Sequence, residues 1–231
     1  MSEISPAEWT AILLSLRVAV IATLVATPFG IALAWLLARY DFWGKSILDA
    51  AVHLPLVLPP VVTGYLLLLT FGRRGLVGAW LADHLGIVFA FRWTGAALAC
   101  GIMSFPLLVR PIRLSIEAID RRLEQASSTL GAAPWQVFAT VTLPLALPGV
   151  LAGMVLGFAK AIGEFGATIT FVSNIPGETQ TISSAIYSLI QTPDGDAAAM
   201  RLVVVSIIIA MSALIASEFF ARRATRRLHG S

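Results

Sequence analysis

The sequence predicts an all-α integral membrane protein with about five transmembrane helices, and three features predict it. Only 13% of the 231 residues are charged, while 58% are hydrophobic; a soluble domain of this size carries about 25% charge. Five apolar windows are long enough to cross a bilayer. The basic residues segregate between the loops in a way that fixes one orientation. The length accommodates one membrane domain and no separate soluble module.

A helix needs about 20 mainly apolar residues to cross the hydrocarbon layer. Residues 1–10 form the leading segment, with Glu3 and Glu8 but no basic run of the kind that opens a cleaved signal peptide. The first span is expected over 11–37, with Arg17 its one charge. The second is expected over 48–71 as one span bent at Pro59-Pro60. The third covers 93–114 and contains Pro106 and Pro111. The fourth covers 143–162 and the fifth 202–220. Between the second and third, 75–91 is too short and carries Asp83 and His84, so it reads as an interfacial segment.

With the N-terminus outside, ten basic residues fall inside: Arg39, Lys45, Arg110, Arg113, Arg121, Arg122, Arg222, Arg223, Arg226 and Arg227. Four fall outside: Arg73, Arg74, Arg92 and Arg201. Reversal would invert that ratio, so N-out, C-in follows from the excess of Lys and Arg in cytoplasmic loops. The tail 222–231 is then cytoplasmic, and its RRATRR run faces anionic lipid head groups.

Residues 163–201 mix glycine, threonine and apolar residues. Ile182, Ala185, Ile186, Leu189 and Ile190 repeat at helical spacing and predict one apolar stripe on a short helix. Asn174, Pro176 and Gly177 predict a turn before it, and Pro193, Asp194 and Gly195 a loop after it. Lys160 stands four residues before Glu164, the spacing of a helical ion pair. Cys100, inside an apolar run, reads as a small buried hydrophobe.

The cytoplasmic loop 117–142 is the most informative stretch. Leu123–Leu130 is a polar helix. Gly131 supplies the left-handed residue that ends it. Pro134 suits the first turn of a second helix. Trp135, Phe138 and Val141 recur every three residues, and the chain returns to the membrane at Leu143-Pro144. The prediction is a helix–turn–helix hairpin at the membrane face, with Trp135 and Phe138 buried against the underside of the bundle. Physics alone leaves two uses open: packing beneath its own spans, or lying in a groove of a soluble partner.

The loop, LEQASSTLGAAPWQVFATVTLPLALPG at 123–149, resembles the EAA loop of binding-protein-dependent ABC importer permeases. That pattern places Glu-Ala-Ala six residues before a glycine and ends in Leu-Pro. Gly131 and Leu143-Pro144 match it. Gln125, Ala126 and Ser127 occupy the Glu-Ala-Ala positions, with Glu124 one place early and Val141 at the Ile position. HLPLVLPPVVTGYLLL, FPLLVRPIRLSIEAID, GEFGATITFVSNIPGETQTI and IYSLIQTP extend the resemblance to the molybdate permease subunits of that group.

The resemblance implies a type I ABC importer permease fold. It implies two copies forming a pore, a cytoplasmic ABC ATPase dimer that binds ATP and magnesium, and a periplasmic molybdate-binding protein. It also implies that Glu124, Gln125, Ala126, Gly131, Ala132, Pro134, Trp135, Phe138, Leu143 and Pro144 form the ATPase-coupling loop. This chain carries no phosphate-binding loop of the G-x-x-x-x-G-K-[ST] kind. No enzymatic activity of its own, no cofactor and no nucleic-acid contact are therefore expected.

Prolines interrupt hydrogen bonding where protein or water must compensate. Pro59, Pro60, Thr63, Ser104, Thr168 and Thr170 are accordingly the candidates for lining or gating a pathway. Sulfate or tungstate is the alternative substrate. A stand-alone secondary transporter is the alternative class, but it would want repeat symmetry and membrane carboxylates. Asp49, Glu164 and Glu218 all fall near predicted span ends. His53, His84 and His229 are far apart and suggest no metal site.

Overall fold

The computed structural model describes residues 4–228, and the side chains of residues 4–216. The side chains of the basic tail and of Glu218 lie outside the described residues, as does His229. The helices are α1 Pro6–Arg39, α2 Lys45–Val57, α3 Pro60–Phe71, α4 Leu76–Leu85, α5 Trp93–Glu117, α6 Arg121–Thr129, α7 Pro134–Val137, α8 Leu143–Ile162, α9 Gly166–Val172, α10 Ile182–Leu189 and α11 Asp196–Leu228. No strand occurs among the described residues.

Among the described residues, four stretches are long and apolar enough to cross a membrane: Pro6–Arg39, Trp93–Glu117, Pro134–Ile162 and Asp196–Ala216. The expected second span is not one bent rod. α2 and α3 meet at an angle of 114° and count as a fifth span only if the broken pair is one. The cause is two prolines in succession. A residue before proline is driven out of the helical region. Here that applies twice, to Leu58 (ψ 143) and to Pro59 (ψ 133). α2 must stop, and α3 restarts with Pro60 in its first turn. The isolated Pro106 and Pro111 leave α5 continuous.

The second hairpin helix and the fourth span are also more continuous than expected. α7 runs into α8 through a π-helical turn, Phe138–Thr142. The Leu143 N–H bonds to Phe138 O, five residues back. Pro144 has no N–H for the next helical bond, and the widened turn absorbs the mismatch. α8 then ends at Gly163, and the chain breaks into α9 and α10.

α5 forms the centre, packed between α1 and α8. One apolar cluster joins Val18, Ala22, Ala96, Cys100, Met103 and Phe171. Another joins Ala34, Leu108, Val109, Ile112, Ala146 and Val150. Cys100 is fully buried and its thiol donates to Ala161 O, as a small core residue would. α5 and α8 approach through glycine. A Cβ on Gly153 would lie 2.5 Å from the Leu108 carbonyl oxygen, and one on Gly149 2.3 Å from Ser115 Cβ. Small residues at such crossings let backbones meet, and association inside lipid depends on that packing.

The predicted α10 stripe is present: Ile182 and Ala185 are buried against Ala11, Ile12 and Leu202, while Ile190 is exposed. The turn and the loop expected on either side of α10 also form, with Gly177 at φ +80 and Asp194 at φ +63. The segment expected at the interface contains α4, a ten-residue helix with Gly78 as its one buried residue.

Candidate functional site

The hairpin is built by local rules. Asp120 caps α6 by accepting from the Arg122 N–H at 2.9 Å. Gly131 sits at φ +90. The Ala132 N–H bonds to Ser127 O and the Gly131 N–H to Ser128 O, the paired bonds that close a helix through a left-handed residue. Pro134 opens α7, and Gln136 Oε1 accepts from the Ala133 N–H at 2.8 Å.

Glu124 fixes the hairpin to the bundle. Arg39, at the end of α1, donates through Nε to Glu124 Oε1 at 3.1 Å and lies 3.0 Å from Oε2 in the ion pair. Thr142 Oγ1 donates to Glu124 Oε1 at 2.6 Å. Arg39 Nη2 also reaches Ile119 O at 3.4 Å. The side chains of Arg39 and Glu124 are only 9% and 17% exposed. One carboxylate thus joins α1, α6 and the start of α8. Above it, Trp35 packs edge-on against Phe138, with ring centroids 5.3 Å apart.

The apolar anchor differs from the expectation at one residue. Trp135 is 69% exposed rather than buried. Phe138 packs on the bundle as expected, and Val137 takes the buried place expected of Trp135; Pro134 is exposed beside it, so the inward positions are 137, 138 and 141. Leu123, Leu130 and Trp135 stand out on the hairpin's outer side, and Gln125 and Ala126 are exposed with them. Ala132 is half-buried at the turn; Leu143 and Pro144 open α8. A hollow of about 500 Å³ lies between the hairpin and α1, bordered by Arg39, Arg121, Gln125 and Thr129.

The candidate pathway residues divide. Pro60 and Thr170 come together where α3 meets α9; Thr63 lies buried on α3 and Thr168 buried on α9. A Cβ on Gly64 would lie 2.5 Å from Ala167 O and 2.9 Å from Thr170 Cβ, and one on Gly166 2.7 Å from Pro60 Cβ. Pro59 and Pro60 are exposed at the apex of the bend. The Thr63 hydroxyl is buried with no hydrogen-bond partner among the described residues, whereas Thr168 and Thr170 bond to Phe165 O and Gly166 O. Ser104 lies apart, fully buried on α5 and bonded to Gly101 O. Beside α9, Lys160 and Glu164 form the expected pair at 2.7 Å. Glu164 Oε1 also accepts from the Ala167 N–H.

Sequence reasoning missed three ties between distant segments. Glu8 pairs with Arg201 at 2.9 Å, joining α1 to α11. Arg113 pairs with Asp49 at 2.8 Å, joining α5 to α2. Arg39–Glu124 is the third. Each spans tens of residues, so no spacing rule could have paired them. Among the described residues no three His, Cys, Asp or Glu side chains converge as a metal site.

A bundle of membrane-spanning helices with a helical hairpin locked against one face is the architecture of a transporter's membrane component. The chain belongs to the family of binding-protein-dependent transport system inner membrane components, whose model matches residues 26–228. It is a multi-pass inner-membrane protein with a type I ABC importer permease fold. It is 60% identical over 220 residues to the molybdenum transport system permease protein ModB of Escherichia coli K12, covering 95% of this chain and 96% of that one. It is 38% identical to the sulfate transport system permease protein CysT of the same organism, covering 85% of this chain and 70% of that one. A crystal structure of a bacterial ABC transporter involved in alginate import matches with TM-score 0.74 and 20% identity, over 95% of this chain and 80% of that chain. That match speaks to the fold alone.

Proposed function

We propose that this chain is the permease subunit of an ABC importer that carries molybdate into the cytoplasm, driven by ATP hydrolysis in a partner subunit. The observation that carries the coupling half is the two-sided hairpin. Its inner side is fastened by Glu124, Val137 and Phe138, and its outer side offers Leu123, Leu130 and Trp135. A segment bound to its own bundle on one face and apolar on the other is suited to lie in a groove of a cytoplasmic ATPase. ATP and magnesium belong to that ATPase.

Motion then has a short route. The π-helical turn makes α7 and α8 one continuous helix, so displacement of the hairpin is displacement of the fourth span. Arg39–Glu124 passes the same displacement to α1. The broken arm α2–α3 and its contact with α9 are the parts left to open and close. Thr170 stands at that contact, with Thr63 on α3 and Thr168 on α9, and these are the hydroxyls offered to a passing oxyanion once the arm opens. Two copies of the chain would enclose the pathway, and a periplasmic binding protein would deliver the anion.

Identity at 60% to a molybdenum permease, against 38% to a sulfate permease, supports molybdate over sulfate. Tungstate shares the shape and charge of molybdate and remains a competitor for the same route. The test is ATP-dependent uptake of labelled molybdate into vesicles holding this chain, its ATPase and its binding protein. Uptake should fall with added tungstate and little with sulfate. Gly131→Asp places a side chain at φ +90, at a strain of roughly 1 kcal/mol. It should abolish uptake and ATPase association while membrane insertion stays normal. Full uptake by that variant would remove the hairpin from the mechanism.

A further inference from the structure

Away from the hairpin, an apolar groove of about 650 Å³ opens between α1, α2 and α5. Ala22, Ala97 and Gly101 form its floor. Its walls include Ile21, Val25 and Phe29, which are 37%, 58% and 66% exposed. The only polar side-chain groups of its lining residues are the Thr94 hydroxyl and the Trp93 indole N–H. On α5 it extends from Trp93 to Phe105, about 18 Å at the helical rise of 1.5 Å per residue. That is close to one leaflet's share, about 15 Å, of the hydrocarbon core.

A cation stands at one end. The Arg17 guanidinium lies over the Trp93 ring, 3.8 Å from its centroid, and Trp93 lines the groove. Arg17 is one helical turn above Ile21. It is exposed, and none of the ion pairs among the described residues includes it. Its depth follows from α1 itself. Arg39, pinned at the inner face by Glu124, is 22 positions along the same helix, about 33 Å away. The hydrocarbon core is about 30 Å thick. Arg17 therefore sits at the opposite head-group boundary, with the groove directly beneath it.

We propose that the groove binds a phospholipid of the leaflet on the N-terminal side of α1. Its phosphate pairs with Arg17, and one acyl chain lies along Ala97 and Gly101. The two ends of the site match the two ends of that molecule in charge, polarity and length. The bulk bilayer is as apolar as the groove, so burying the tail supplies no hydrophobic drive of its own. The charge-assisted contact at Arg17 decides residence. The proposal does not depend on which anion the chain transports.

Native mass spectrometry of the purified transporter complex with added phosphatidylglycerol tests it. The unmodified chain should retain one phospholipid per copy. Arg17→Gln should lower occupancy at least fivefold, and Arg17→Lys should restore most of it. Gly101→Leu should displace the lipid by filling the groove, since a Cβ there meets nothing closer than Ala22 O at 3.7 Å. Equal retention in the unmodified chain, Arg17→Gln and Gly101→Leu overturns the proposal. So does efficient disulfide crosslinking between copies carrying Val25→Cys, which would place a second copy where the lipid should be.

Discussion

The α5–α8 pair and the α2–α3 arm are both proline-containing and both apolar, yet they are built in opposite ways. α5 buries twelve of its 25 residues; α2 buries only Val52, and α3 only Thr63, Gly64 and Leu67. The pair is joined backbone to backbone through Gly149 and Gly153. The arm is joined to α5 by the Arg113–Asp49 ion pair and by Val52 and Leu67, one side chain in each apolar cluster, and to α9 by the close approach at Gly64. Proline content does not separate the two regions. What separates them is whether prolines are isolated, as in α5, or consecutive, as at Pro59-Pro60. Isolated prolines leave a rod that packs along its length; consecutive ones produce two short helices with little surface to share.

The sharpest way to break this contrast is to put volume into the pair. Gly153→Val forces a branched side chain to within 2.5 Å of a carbonyl oxygen on α5, where no side-chain rotation can relieve the clash. It should destabilise the chain by about 3 kcal/mol, at the upper end of overpacking costs. Thermal unfolding in detergent would read this as a marked loss of folded protein. Gly157→Ala is the control one turn on. Its Cβ would meet Leu108 Cβ at 3.6 Å, an ordinary contact. Replacing a mid-helix glycine favours the helix by roughly 0.5–1 kcal/mol, so this variant should be neutral or slightly more stable. Similar losses at both positions would show that the pair is not glycine-dependent.

The rules that work within one helix made much of this legible. The helical class, the first, third, fourth and fifth spans, the Lys160–Glu164 pair and the Gly131 turn all follow from periodicity, i,i+4 spacing or turn chemistry. The hairpin's existence was legible too, but not its facing. Trp135 and Val137 are both apolar and both lie within one turn of Phe138; only the burial of Val137 beside an exposed Trp135 shows which of them turns inward. The 114° break was visible as two prolines, but its size depends on where α9 lets α3 rest. Glu124 was legible as an offset acidic residue, not as the partner of Arg39, 85 positions away.

The arm offers a smaller effect. Asp49 and Arg113 are 38% and 26% exposed, so their pair is partly solvated or lipid-facing and contributes about 1 kcal/mol. Asp49→Ala should therefore leave global stability nearly intact while releasing α2 from α5. Spin labels on α2 and α5 should show a broadened distance distribution, and labels on α5 and α8 should not. Exchanging the charges, Asp49→Arg with Arg113→Asp, should narrow it again. Arg113 also holds Glu117 at 2.7 Å, so the exchange sacrifices that second contact and recovery should be partial. A distribution unchanged by Asp49→Ala would mean that apolar packing, Val52 on α2 and Leu67 on α3, holds the arm without the ion pair.

The smallest effect on stability is expected on the hairpin's outer side, and it sharpens the comparison by adding a region that is rigid without being buried. Trp135→Ser removes a side chain that is 69% exposed, so the isolated chain should change by less than about 0.5 kcal/mol. Val137→Ser, two residues on, replaces a buried anchor with a hydroxyl and should cost on the order of 2 kcal/mol. If the outer side is a docking face, the two variants reverse their order when ATPase binding is measured. Trp135→Ser then loses affinity in a chain of ordinary stability, while Val137→Ser loses stability first. Aromatic side chains are the usual centres of such interfaces, and their removal there costs about 2 kcal/mol or more. Loss of affinity at Trp135 without loss of stability is something a loop packed only beneath its own bundle could not produce.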